Sequence, residues 1–379
     1  MSLLFELNDT QAMLRESLAR WLADHWSDEI RARTLAATAA EPPPWRAFAR
    51  DLGLLGAGID EAAGGLGGTL VDQLVIMETL GSSLAAEPYL SSVVIGGGVF
   101  RRDPGAMARR MLGRIVEGSA VIAFAGSEPL SRHDPADVRT RLVAGGDGFR
   151  LEGRKSVVTN APWATELLVS ARCDGAAGDA QGLSLACIPA DAPGLRRHDY
   201  RTVDGGVASE IEFDGVPVQA GQLIGPPGEA GPLLSQVMDE ATLAVCAEAV
   251  GVMRRLLRDT LGYVRERRQF GEPIASFQAL QHRLADMQLA LQQAASLTAA
   301  VADQMDGPAV ARAAAVSSAK VMVSRACRIV GQGAVQLHGG MGMTEELALG
   351  HYVRRATRIE QMFGSVDWHL RRVERLGPC

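Results

Sequence analysis

The sequence predicts an α+β fold that runs as helices, then a sheet, then helices again. Three observations predict it. Apolar residues recur at helical spacing through most of residues 1–117, short β-branched runs parted by Gly, Asp, Pro and Asn fill residues 118–228, and long alanine-rich helical patterns occupy residues 229–379. These bounds give an N-terminal helical domain, a middle β-sandwich or barrel and a C-terminal four-helix bundle.

In the first part, Asn8 or Asp9 can cap a helix behind which Met13, Leu14, Leu18, Trp21 and Leu22 recur at helical spacing. Residues 60–69 are glycine-rich and lead into a second helical pattern over 70–80. They lack G-x-G-x-x-G and follow no convincing strand, which predicts a turn and not a phosphate cradle. The candidate strands of the middle part are residues 121–124, 149–152, 155–158, 166–170, 183–188 and 210–213. No helical pattern alternates with them, so a doubly wound parallel sheet is not expected. The last part predicts helices over 233–266, 274–305, 310–337 and 345–362, where alanine suits both helix propensity and close packing.

Composition narrows the function. With 47% hydrophobic and 22% charged residues the chain reads as an ordinary globular protein, and the apolar run 89–100, broken by Ser91, Ser92 and three glycines, is too short to span a bilayer. Residues 1–11 show neither a basic stretch nor a small-residue cleavage pattern, so no secretory signal is expected. Cys173, Cys187, Cys246, Cys327 and Cys379 are odd in number and never in a C-x-x-C pair, which fits a reducing cytoplasm better than a disulfide framework or a zinc site. The net charge of −6 argues against nucleic-acid binding, and no histidine spacing suggests a metal.

One stretch stands out: Tyr263-Val-Arg-Glu-Arg-Arg-Gln-Phe-Gly-Glu-Pro-Ile274. Arg265, Arg267 and Arg268 fall in the expected last turn of a long helix, which Gly271 ends and after which Pro273 starts the next. The cluster reads as an anion docking point or as a solvated helix terminus.

Together with Phe277-Gln278 and Gln281-His-Arg-Leu-Ala-Asp-Met287, this stretch resembles a signature of the acyl-CoA dehydrogenase family. Ala334-Val-Gln-Leu-His-Gly-Gly-Met-Gly-Met-Thr-Glu-Glu346 is similar to the family's other C-terminal signature, so the likeness covers essentially the whole chain. The resemblance implies an acyl-CoA dehydrogenase-like fold and FAD bound at a site shared between subunits, which needs no Rossmann fingerprint. It implies that Arg267 reaches the FAD diphosphate of a neighbouring subunit, with Gln269 and Phe270 beside it, and that Gln336, Gly339 and Gly340 approach the adenosine and diphosphate. A guanidinium fork suits two phosphate oxygens, and glycine permits close backbone approach. Ser127, before Glu128-Pro129, and Thr159, in Val158-Thr-Asn160, match flavin-facing positions; each can also be a plain turn residue.

The family reaction takes the α-proton of an acyl-CoA thioester while a hydride leaves the β-carbon for flavin, and it needs a carboxylate base. Here the chain departs from the pattern. The usual base position is Phe363, before Gly364, and the alternative on the long helix is Ala241. Glu240 is adjacent but points about 100° away on a helix; Glu248 lies seven residues on, nearly the same face but roughly 10 Å along the axis. Glu248 sits among apolar residues, as a candidate base or as the partner of an arginine from a packed helix. Glu360, about one turn before Phe363, is a further candidate. The flavin-side tryptophan is Val157, and Leu130-Ser-Arg-His-Asp134 replaces Gly-Ser-Asp. The finer likeness, carried by Val237-Met-Asp-Glu-Ala241, Cys246-Ala-Glu-Ala-Val-Gly251, His351-Tyr352 and Met362-Phe-Gly364, is to small subunits of two-component enzymes acting on pimeloyl-CoA or steroid side-chain CoA esters.

Three functions follow from the resemblance: FAD-dependent oxidation of an acyl-CoA to the trans-2-enoyl-CoA, a silent partner completing the FAD site of an active subunit, or a related flavin monooxygenase or oxidase. It also implies a homo- or hetero-tetramer that passes electrons to an electron-transfer flavoprotein or similar acceptor.

Overall fold

Asn8 opens the first helix as the spacing Asn8-x-x-Gln11 allows. Its side chain accepts from the Gln11 backbone N–H at 2.9 Å while the Gln11 side chain accepts from the Asn8 N–H at 3.2 Å, a reciprocal capping box. The computed structural model describes residues 7–36, 44–85, 88–131, 133–146, 148–179, 181–344 and 347–377. Residues 1–6, Arg132, Glu345, Glu346 and Cys379, on which parts of the sequence reading fall, lie outside the described residues.

The N-terminal helices are α1 (Asp9–His25), α2 (Asp28–Ala36), α3 (Trp45–Arg50), α4 (Leu70–Gly81), α5 (Gly97–Phe100) and α6 (Ala106–Val116). Of the apolar residues expected on the inner face of α1, Leu18 and Leu22 are buried, whereas Met13 is exposed. The run tested for membrane spanning is a fully buried π-helical segment, Leu90–Gly96, leading into α5. No helix is long and apolar enough to cross a membrane among the described residues. Residues 60–69 form the expected turn, with a short 3-10 helix at Glu61–Ala63.

The strands are β1 (Ile122–Ala125), β2 (Arg141–Gly145), β3 (Gly148–Thr159), β4 (Glu166–Arg172), β5 (Leu183–Pro189), β6 (Leu195–Arg201), β7 (Val207–Gln219) and β8 (Leu223–Ile224). They make one eight-stranded sheet in the order β6-β7-β3-β2-β4-β5-β8, with β1 added parallel to β4. Leu142, Leu151, Val158, Val169, Ile188, Ile211 and Phe213 meet in a single core, so the sheet curls its apolar face inward. The expected strands 149–152 and 155–158 are one strand. Gly153 does not break it but is needed inside it, because a Cβ there would lie 2.7 Å from the Thr140 Cα.

The C-terminal helices are α7 (Gly231–Glu266), α8 (Gln278–Ala302), α9 (Ala309–His338), α10 (Leu349–Gln361) and α11 (Val366–Leu376). Helix α9 is central, packing on α8, α10 and α11. Between α7 and α8 two further strands, β9 (Arg268–Gln269) and β10 (Glu272–Pro273), form a small antiparallel hairpin. Helix α8 therefore begins later than expected, after a 3-10 turn at Ile274–Ser276. By packing, the chain divides into two compact units, one of residues up to 33, 74–86 and 242 onward, the other of residues 34–73 and 87–241.

Candidate functional site

Helix α7 ends at Glu266, so Arg267 and Arg268 are not in its last turn as the sequence suggested. The chain instead reverses through Phe270 and Gly271, at φ 56° and 85°, between the paired residues Gln269 and Glu272. Two consecutive positive φ values are what a two-residue hairpin turn requires, and for a phenylalanine that conformation is unusual. The consequence is exposure. Arg265, Arg267, Arg268 and Gln269 all face outward, and the Phe270 ring is 92% exposed. Among the described residues, Arg265 and Arg267 have no acidic partner within bridging distance, which leaves two guanidiniums open to an external anion.

The second signature block arrives beside this hairpin. His338 is the last residue of α9, and its ring stacks on Tyr263 of α7 at 4.3 Å with 24° between planes. The Tyr263 hydroxyl donates to the His338 carbonyl at 3.4 Å. Gly339 follows at φ 60°, and both it and Gly340 are exposed, with open space where a Cβ would stand. Gln336 is exposed on the same helix end. Arg267, Gln269, Phe270, Gln336, Gly339 and Gly340 are thus carried on two segments that Tyr263 and His338 join. Outward-facing guanidiniums, exposed backbone and an open aromatic face can together hold an elongated anionic ligand with an aromatic end.

The other unit carries Ser127 and Thr159. The Ser127 carbonyl accepts from the Ser156 N–H at 2.9 Å, which sets Ser127 beside the end of β3 where Val157 and Thr159 stand. Val157 is 52% exposed and adopts φ 52°, a costly conformation for a β-branched residue, at the register shift between Lys155 and Val158. Its surroundings impose it. The Val157 N–H donates to Glu210 at 3.2 Å, and the fully buried Lys155 ammonium lies 2.8 Å from Glu128, which also accepts from the Thr140 N–H and hydroxyl at 2.9 and 2.7 Å. Burial pushes Lys155 down to about 8 against the pull of Glu128. Burial alone would raise the Glu128 carboxyl, but Lys155 and Thr140 outweigh it and hold it below the usual carboxylate range.

For Glu248 the structure shows the second of its two readings, the partner of an arginine from a packed helix. Glu248 is fully buried and bound side-on by Arg355 of α10, with bonds of 2.5 and 2.9 Å. Glu240 is held by Arg101 at 2.8 Å and by Arg102, and Glu360 accepts from Arg328 at 2.7 Å. Each of these three candidate carboxylates already balances an arginine. Ala241 is buried, and Phe363 turns at φ 55° into Gly364, whose carbonyl accepts from the buried Lys320 ammonium at 3.0 Å. The sequence reading missed Arg355, Lys155 and Lys320, since pairings across many residues leave no local pattern. The one visible signal was Arg101-Arg102 closing an apolar run.

Models of the acyl-CoA dehydrogenase N-terminal, middle and C-terminal domains match residues 8–118, 123–216 and 232–376. Acyl-CoA dehydrogenase FadE27 of Mycobacterium tuberculosis is 30% identical over 343 residues, 87% of each chain. The chain belongs to the acyl-CoA dehydrogenase family. Two solved structures share its fold over nearly the whole length. The Tcur3481-Tcur3483 steroid ACAD is 29% identical, covers 97% of each chain and has a TM-score of 0.86. The ChsE4-ChsE5 complex from Mycobacterium tuberculosis is 26% identical, covers 99% of this chain and 98% of that one, and has a TM-score of 0.88.

Proposed function

We propose that this acyl-CoA dehydrogenase family member is a subunit of an FAD-dependent enzyme that oxidises an acyl-CoA thioester to the trans-2-enoyl-CoA. The observation that carries the reading is the exposed arginine hairpin joined to the open Gly339–Gly340 turn. Arg267 would hold the cofactor's diphosphate, Gln336 and the Gly339 and Gly340 backbone its adenosine side, and Phe270 would offer a ring face. Ser127 and Thr159 would face the flavin. Bound FAD supplies the acceptor for the hydride that leaves the β-carbon.

The α-proton is assigned to a carboxylate from another chain. Positions 241 and 363 carry none, and Glu240, Glu248 and Glu360 each serve an arginine. Taking a proton on Glu248 would leave Arg355 buried and uncompensated. A mixed assembly is in keeping with the two similar structures, each named for two components. We read it as a hetero-tetramer that passes electrons to an electron-transfer flavoprotein or similar acceptor. Cys173, Cys187, Cys246 and Cys327 are free thiols, in keeping with the cytoplasm.

The test is flavin content and turnover of the tagged chain, purified alone and with whatever subunit co-purifies. The assembly should be yellow and should reduce an artificial acceptor with an acyl-CoA, Arg267→Ala should lose the flavin, and the chain alone should not turn over. Turnover by the chain alone that disappears in Glu248→Gln or Glu240→Gln, with flavin and fold retained, would overturn the assignment of the base.

A further inference from the structure

We propose that Tyr263 and His338 are positioning residues: their stacked rings form a joint that holds the arginine hairpin and the Gly339–Gly340 turn as one preassembled ligand-binding half-site. The inference rests on the FAD reading for the identity of the ligand, and on geometry alone for the joint.

The two joining residues are 75 apart in sequence, and each segment they carry is built almost wholly of exposed residues. Exposed residues lack the packing that normally fixes a geometry, so their mutual position must come from behind them. Tyr263 and His338 stand there. The Arg267 N–H donates to the Tyr263 carbonyl at 2.9 Å, so the residue just before β9 closes the last backbone turn of α7 on this position. On the other side, the His338 Nδ1 bonds the Ala334 carbonyl at 2.9 Å, so the imidazole is anchored to its own helix and the ring plane is set. His338 is itself 6% exposed, and the residue after it is the Gly339 turn. A rotation of either ring would shift Arg267 relative to Gly339, and a ligand touching both would then lose one contact. Preassembly matters because ordering two free segments at the moment of binding weakens affinity.

The experiment has two readouts on the purified assembly, this chain with the subunit that co-purifies with it. The first is amide hydrogen exchange without added ligand, followed in residues 267–271 and 339–344. The second is FAD affinity by titration of flavin fluorescence. Tyr263→Leu and His338→Leu should each speed exchange in both segments and weaken FAD binding about tenfold, the size expected for losing an aromatic pair. The thermal midpoint should stay near that of the wild type. Tyr263→Phe, which keeps the ring, should restore both readouts, and Tyr263→Leu/His338→Leu should be no worse than either single variant. Exchange confined to the mutated segment, or single-variant losses that simply add, would overturn the joint. If the wild-type assembly takes up no FAD while exchange still responds in both segments, the functional reading fails and the joint stands.

Discussion

Replacing Glu248 by glutamine separates a structural carboxylate from a catalytic one. Glu248 is fully buried on α7, Arg355 of α10 has 6% of its side chain exposed, and both carboxylate oxygens are engaged, at 2.5 and 2.9 Å. The variant keeps the shape but removes the charge, so the guanidinium remains buried without its counter-ion. Losing one partner of such a pair costs about 3–5 kcal/mol, a large part of the roughly 5–15 kcal/mol that holds a typical domain together. Urea unfolding followed by circular dichroism should show that loss as a lower midpoint with an unchanged slope. Adding Arg355→Met should recover part of it, because the orphaned charge then disappears. Flavin content and turnover of the assembly should fall only as far as the folded fraction falls. A Glu248→Gln protein as stable as the wild type but without turnover would refute the reasoning and return Glu248 to the chemistry.

Three further predictions concern the sheet domain. Glu128 is held below the usual carboxylate range, so the unfolded chain takes up its proton first as pH falls. Its contribution is present at neutral pH and lost in acid, and Glu128→Gln should flatten that acid limb of the stability profile. Lys155 runs the other way: with a folded value of about 8 against an ordinary value of about 10.4, its cost below 8 is relieved as pH rises, and Lys155→Met should flatten the alkaline limb. Arg172 is 1% exposed, and its guanidinium donates to the carbonyls of Ala136, Val138, Asp174, Asp179 and Gln181 at 2.7–3.3 Å. Arg172→Met strands these acceptors, and the expected loss is about 3 kcal/mol in denaturant unfolding, with new protease cleavage near residues 174–181.

What could be read in the sequence was local or periodic. The Asn8 cap, the long helices and the inward strands 166–170 and 183–188 announce themselves through neighbours a few residues away. Strand β6 did not, because Leu195-Arg-Arg-His-Asp-Tyr-Arg201 is an edge strand whose polar residues face outward and carry no alternation. Strand β2 buries little beyond Leu142, and Gly153 looked like a turn because its reason for being glycine, Thr140, lies on another segment. At the site, the residue types of both signature blocks were visible, yet the hairpin was not, since a phenylalanine at positive φ contradicts its own preference. For Glu248 the sequence left open a base or the partner of an arginine from a packed helix, but which arginine holds it, and which hold Glu240, could not be read, because those arginines lie 107 and 138 or more residues away.

The bare Phe270 ring also bears on how the lone chain behaves in crowded solution. A large apolar side chain at the tip of a two-stranded ribbon invites like copies to stick together. Here Arg265, Arg267 and Arg268 are exposed on the stretch that leads to it, and like charges there would repel between copies and oppose self-association. The same three charges that suit the tip to an anion would then also help to keep unfilled subunits apart.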